Sequence, residues 1–214
     1  MSDKQSEQLV PKVYLIDDDP VITFVLIDLV ESVHLPYAVF GDATSFLQQD
    51  LSTLAGCIVS DVRLPGMSGL ELQDELRRLQ IDLPMIFISS YPEVSSVVRA
   101  MRGGALDFFQ KPFSPQHVLD CIQDALRIGR ERAESRARTR EIGERMALLT
   151  TREREVLDAM LEGKLTKVIA SEMDISQRTA ETYRHVIMQK LQAGSIAELV
   201  RMSLEARSAK SPGV

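Results

Sequence analysis

The 214-residue chain has no tryptophan and only two cysteines, Cys57 and Cys121. Two thiols so far apart exclude a disulfide framework or a multi-cysteine metal knot, and both read as buried thiols. Long apolar runs are missing too. The longest, around Val21 to Val30, is broken by Thr23 and Asp28, so no segment suits a membrane span. The N-terminal "MSDKQSEQ" is polar and lacks an apolar signal core, which predicts a cytoplasmic protein with no membrane partner. Internal repeats and low-complexity tracts are absent as well.

What is present is an ordinary globular composition, 44% apolar and 26% charged. The length allows one large domain or two small ones, each with its own core. The net charge of −6 conceals a division. Residues 1–126 hold 8 basic against 18 acidic side chains, whereas residues 127–214 hold 17 against 13. An acidic half joined to a mildly basic half predicts two modules, the second facing nucleic acid.

The first half alternates short apolar runs with helical patterns. The runs are Val13–Ile16, Ala38–Phe40, Cys57–Val59, Met85–Ile88 and Leu106–Phe109. Between them, Val94, Val97, Val98 and Met101 keep the spacing of an amphipathic helix, as do Leu72, Leu76 and Leu79. Five strands alternating with helices predict βαβ units in a parallel sheet covered on both faces. A last helix of this module starts near Ser114-Pro115, a helix cap followed by proline at the first helical position. The stretch "RIGRERAESRARTREIGER" mixes charges at helical spacing and predicts a helical linker. Beyond it everything reads as helix. Thr150 and Glu153 form a capping box, Gly163 supplies a stop, a short helix covers 166–173 and a longer one 177–191. A final helix begins at Ser195, boxed with Glu198.

Chemistry concentrates at the strand ends. The first strand runs into Asp17-Asp18-Asp19, the third ends at Asp61, the fourth at Ser89-Ser90, and the fifth leads to Lys111-Pro112. In an open parallel sheet such groups converge in one cleft at the topological switch point. Taken singly each carboxylate is as well explained as a turn former, and Asp19-Pro20 reads as a helix cap. Together, carboxylates at contact distance call for a hard divalent cation with oxygen ligands, Mg²⁺ or Mn²⁺. A carboxylate beside such an ion can attack phosphorus while the metal and a lysine neutralise the phosphoryl oxygens. Asp61 is then the nucleophile, Asp17 and Asp18 hold the metal, Lys111 pairs with the phosphoryl group and Ser89 donates a hydrogen bond to it.

These residues carry a resemblance. "VYLIDDDP", "CIVSDVRLPGMSGLEL", "MIFISS" and "GALDFFQKPF" closely resemble the receiver domain of two-component response regulators, in order and spacing, over about residues 12–126. The resemblance implies a flavodoxin-like (βα)5 fold with a five-stranded parallel sheet, and Asp61 as phospho-acceptor. It also implies the Arg63 backbone carbonyl as a further metal ligand, a cis peptide before Pro112, and Phe108 as the switch aromatic. Ser89 stands where threonine is common, and Tyr91-Pro92 occupies the place where the family tunes hydrolysis of the acyl phosphate.

In the second half, Ala170 lies five residues before Ile175, a spacing that suits two helices crossing at a tight turn. On the next helix Ala180, Tyr183, Ile187 and Leu191 form the inward face. Glu181, Thr182, Arg184 and His185 point outward, with Arg178 and Thr179 at the start. Such a face suits the major groove, and it equally suits a solvated surface. The sequence from Leu148 to Leu191 resembles the LuxR-type helix-turn-helix of FixJ-like (NarL/LuxR-type) regulators. The resemblance implies Glu181, Thr182 and His185 as base-facing residues, Arg178 as a further DNA contact, and Lys167, Ser176, Thr179, Arg184 and Lys190 as phosphate contacts. Ala180, Tyr183 and Thr166 replace the usual valine, histidine and asparagine.

The expected organisation is therefore a receiver at 1–126, a charged helical linker at 127–147 and a small all-α DNA-binding domain at 148–214. The expected function is regulation of transcription, with a sensor histidine kinase and double-stranded DNA as partners and a homodimer on phosphorylation. The receiver is expected to catalyse only its own phosphorylation and dephosphorylation. Two other classes stay open at this level: an enzyme acting on a small phosphorylated substrate through Asp61, and a receiver that only dimerises. Short connecting loops speak against the first, and the complete set Asp17, Asp18, Asp61 and Lys111 against the second.

Overall fold

The computed structural model of the chain describes residues 10–208. The polar N-terminal stretch read above for a signal lies outside them. Two compact units divide between Glu134 and Ser135. Among the described residues no helix is long and apolar enough to cross a membrane.

The first unit is built on five parallel strands, β1 (Lys12–Ile16), β2 (Tyr37–Phe40), β3 (Gly56–Asp61), β4 (Met85–Ser89) and β5 (Asp107–Gln110), in the order β2-β1-β3-β4-β5. Side chains alternate across the sheet because the pleat has a period of two. Tyr14, Ile16, Ile58, Met85 and Phe87 enter one core, and Val13, Leu15, Cys57, Val59, Ile86 and Ile88 the other. The first core is closed by α2 (Ala43–Leu47), α3 (Gly69–Arg78) and α4 (Val94–Arg102), through Phe46, Leu72, Leu76 and Ala100. The second is closed by α1 (Pro20–Glu31) and α5 (Pro115–Ala147), through Leu26, Val30, Val118, Ile122 and Ala125. Both faces are covered, as a parallel sheet requires.

Local sequence explains the helix starts. Asp19 caps α1, its side chain accepting from the Val21 N–H at 2.8 Å with Pro20 next. Ser68 and Glu71 form a capping box on α3. Helix α5 starts at Pro115 as expected and continues through the charged stretch to Ala147. At Gly129 it crosses the start of β3 so closely that a Cβ would strike the Gly56 carbonyl. Arg132 then pairs with Asp82.

One apolar stripe points where its spacing alone does not say, and one expectation, that of two buried thiols, needs correction. The apolar stripe of α4 does not face the core: Val94 is 80% exposed, with Val98 and Met101 exposed beside it, and Ala100 is the buried residue. Periodicity identifies a common face but not its direction, and here the neighbouring helix α3 takes the side that carries Ala100. Gln73 of α3 donates to the Ala100 carbonyl, and Arg77 to that of Gly103. Cys121 is only partly buried, unlike Cys57.

The second unit is helical. Here α6 (Thr151–Leu161), α7 (Thr166–Glu172), α8 (Gln177–Leu191) and α9 (Ile196–Ser208) enclose Val156, Leu157, Met160, Ile169, Ala180, Ile187, Leu191 and Leu199. The Thr150–Glu153 capping box forms as expected. The one at Ser195 is only half made: Ser195 accepts from the Glu198 N–H, while the Glu198 carboxylate accepts from the Gly194 N–H instead.

Candidate functional site

Four of the strands β1, β3, β4 and β5 are neighbours, so the residues at their carboxyl ends are neighbours too. Asp17 follows β1, Asp61 ends β3, Ser89 ends β4 and Lys111 follows β5. The cluster lies where strand order reverses, between β1 and β3. Carboxylate oxygens of Asp17, Asp18 and Asp61 lie within 4.8 Å of one another. The Lys111 ammonium donates to Asp17 Oδ2 at 2.8 Å and stands 3.4 Å from Asp61 Oδ1.

Backbone contacts position several of these groups. The Asp19 N–H donates to Asp17 Oδ1 at 2.9 Å, which leaves Oδ2 for Lys111. The Lys111 N–H donates to the Ser89 carbonyl at 2.8 Å. The Lys111–Pro112 peptide is cis. Gly69, at the start of α3, lies against the Asp61 carbonyl where any Cβ would collide, so the helix can press against the end of β3. Ser89 is buried, and its Oγ accepts from the Tyr91 N–H at 3.3 Å, keeping its own proton for another acceptor.

Asp61 is the electrostatically unsettled member. The ammonium of Lys111 is badly aligned with it, and Oδ1 is buried without a hydrogen-bond partner. Burial pushes its carboxyl above the ordinary range, Lys111 pulls it down, and the Asp17 charge pushes it up again. A buried anionic oxygen without a donor is costly. An oxygen-only donor set with one unsatisfied buried oxygen fits a hard divalent cation such as Mg²⁺.

The Arg63 side chain turns outward, lying 5.4 Å over the Tyr91 ring and pairing with Glu93 at 3.2 Å. Both contacts join the segment after β3 to the one after β4. Phe108, on β5, is partly buried against the core with its ring centroid 6.1 Å from that of Phe87.

In the second unit the outward face of α8 carries Glu181, Thr182 and His185, all exposed, with Arg184 half-buried. Ser176 caps the helix, accepting from the Thr179 N–H at 3.0 Å; it is exposed together with Arg178 and Thr179, as is Lys167 on α7. Ala180, Tyr183, Ile187 and Leu191 face the core.

Lys190 is different. Its ammonium lies 2.7 and 2.8 Å from the Glu153 carboxylate oxygens and donates to the Leu148 carbonyl. Glu153 is buried, and its carboxyl is held below the ordinary range by Lys190 and by the Thr150 N–H. Lys190 therefore has a partner inside the unit for the charge that the resemblance assigns to phosphate.

Residues 13–123 match the response regulator receiver domain, and residues 147–203 match the bacterial regulatory proteins of the luxR family. The response regulator protein TodT of Pseudomonas putida is 38% identical over 203 residues, 95% of this chain and 87% of that one. The transcriptional regulatory protein FixJ of Bradyrhizobium diazoefficiens is 39% identical over 194 residues, 91% of this chain and 95% of that one. Among solved structures, the response regulator StyR matches with a TM-score of 0.81 at 36% identity, covering 91% of this chain and 98% of that one. Full-length FixJ from B. japonicum matches with a TM-score of 0.54 at 38% identity, covering 92% and 98%.

Proposed function

Because the chain belongs to the response regulators that join a receiver domain to a LuxR-type DNA-binding domain, we propose that it takes a phosphoryl group onto Asp61 and, so modified, regulates transcription. The family is one of regulators and not of enzymes in the usual sense. The chemistry proposed is confined to the receiver's own phosphorylation and dephosphorylation. We assign the receiver to residues 1–126, the linker to 127–147 and the DNA-binding domain to 148–214.

The convergence of Asp17, Asp18, Asp61 and Lys111 at one edge of the sheet carries this reading. Asp17, Asp18, Asp61 and the Arg63 carbonyl would hold Mg²⁺, which supplies charge neutralisation for the transferring phosphoryl oxygens. A carboxylate oxygen of Asp61 attacks phosphorus of a phosphohistidine on the donor kinase. The P–N bond breaks and the imidazole leaves. The ammonium of Lys111 exchanges part of its pairing with Asp17 for the new phosphoryl group. The Ser89 hydroxyl donates to the same group, and Phe108 follows it inward, a two-state element biased by local charge. Water later attacks phosphorus and frees phosphate, and Tyr91, which the resemblance puts where the family tunes this hydrolysis, is held by Arg63.

The exposed stripe of Val94, Val98 and Met101 on α4 supports a homodimer as the phosphorylated state, since an apolar helix face in water favours a partner. A second stripe, Ile196, Val200 and Leu204 on α9, supports pairing of the DNA-binding domains. On DNA, α8 enters the major groove with Glu181, Thr182 and His185 toward the bases, while Arg178, Thr179, Ser176, Arg184 and Lys167 contact phosphates.

Acetyl phosphate in Mg²⁺ should label the wild-type chain and leave Asp61→Asn unlabelled; labelling of the variant at the wild-type rate would overturn the assignment. Glu181→Ala should change sequence preference more than affinity, and a uniform loss on all DNA would remove Glu181 from the base-facing set. Mapping bound sites across a genome, with and without phosphorylation, tests the regulatory role itself.

A further inference from the structure

Thr182 lies on the exposed face of α8 directly after Glu181, and its hydroxyl is already in use. Oγ1 donates to the Arg178 carbonyl one turn back, at 3.0 Å. With that proton held inside the helix, Thr182 has no donor left to offer, only an oxygen that can accept and its γ-methyl. Glu181 is the opposite case: its carboxylate is exposed and makes no hydrogen bond or ion pair among the described residues. Beside a polyanion, such a carboxylate is tolerated only opposite a hydrogen-bond donor.

The two neighbours thus present acceptors and one methyl, and no donor; the methyl is the group found on Thr182 alone. In the major groove the complement of an acceptor is an exocyclic amino group, on cytosine or adenine. The complement of the methyl is the C5-methyl of thymine. We propose that Thr182 is a specificity determinant that reads the 5-methyl group of a pyrimidine, thymine in unmodified DNA, beside the base whose amino group Glu181 accepts. This rests on α8 being the helix that enters the major groove.

The test uses the full-length chain, with and without acetyl phosphate and Mg²⁺, and two randomised duplex libraries. One contains thymine, and in the other every thymine is replaced by deoxyuridine, which removes only the methyl. From the first library the wild-type chain should enrich sequences with a fixed thymine. In the second, preference at that position should fall about fourfold, the worth of one buried methyl, with the rest of the motif retained. Thr182→Ser should show the same preference in both libraries, and Thr182→Val should keep the dependence on the methyl. Glu181→Ala should lose the amino-base preference and still respond to the methyl. The proposal fails if the wild-type motif ignores the methyl, or if Thr182→Ser still responds to it. If no sequence is enriched from either library under either condition, the DNA-binding reading fails, and this proposal with it.

Discussion

Asp61→Asn should make the receiver more stable in metal-free buffer, although it removes the proposed acceptor. Oδ1 of Asp61 is buried without a hydrogen-bond partner, the charges of Asp17 and Asp18 lie close, and burial raises the carboxyl above its ordinary range. An unsatisfied buried acceptor costs about 1–3 kcal/mol, more when charged. Lys111 at 3.4 Å offsets part of this, so about 1–2 kcal/mol is the gain to expect from a neutral amide of the same shape. For a domain of this size that is about 4–8 °C in melting temperature.

The sign has a pH signature. A carboxyl whose folded pKa is raised leaves stability untouched in acid and takes it away as pH climbs. The loss starts near the unfolded value of about 3.9 and is complete above the raised folded value. The advantage of Asp61→Asn should therefore be full at neutral pH and vanish in acid. Mg²⁺ should narrow it as well. At tenfold excess over its dissociation constant, the ion adds about 1.4 kcal/mol to the chain that binds it, and the variant has lost a ligand. Differential scanning calorimetry of the full-length chain, with EDTA or with Mg²⁺, reads both effects on the receiver transition. An asparagine variant that melts at or below wild type in EDTA at neutral pH would refute the reasoning.

Lys190→Met should leave Glu153 a buried carboxylate without its cation and destabilise the second unit by about 1–3 kcal/mol in urea melts. Because the Glu153 carboxyl is depressed, that loss should be full above the ordinary carboxylate range and shrink as pH falls through the depressed value. The salt dependence of DNA binding should not change, and a shallower slope would mark Lys190 as a phosphate contact. Gly129→Ala should force α5 away from Gly56 and cost about 1–3 kcal/mol of receiver stability; a neutral result in urea would show that the crossing yields freely. Val98→Glu should keep labelling by acetyl phosphate intact but prevent the phosphorylated chain from dimerising in sedimentation velocity. Dimers at wild-type strength would remove α4 from that interface.

Much of the fold was legible because its signals are local. Helix α8 runs over Gln177–Leu191 as its spacing predicts, and Asp19, Ser68 and Thr150 cap the helices that follow them. The acidic cleft was legible for a different reason: each of its members ends or follows an apolar run, and a parallel sheet brings such ends together. What stayed hidden depends on neighbours remote in sequence. Nothing in Val94, Val97, Val98 and Met101 tells which side of α4 meets α3; that is decided by Gln73 and Arg77 reaching Ala100 and Gly103. Lys190 reads as a surface cation until Glu153, from another helix, is found beneath it. The Arg63–Tyr91 contact needs two loops that only strand pairing makes adjacent.

The cleft draws its groups from the ends of four strands, from Asp17 and Asp18 after β1 to Lys111 after β5. A chain emerging from the ribosome cannot complete it until β5 has been made and has docked on β4, with the Lys111 N–H on the Ser89 carbonyl. Until then Asp61 lacks the lysine beside it and the proposed phosphoryl transfer has no complete site; on that reading, the geometry that would receive the signal also certifies that the receiver is whole.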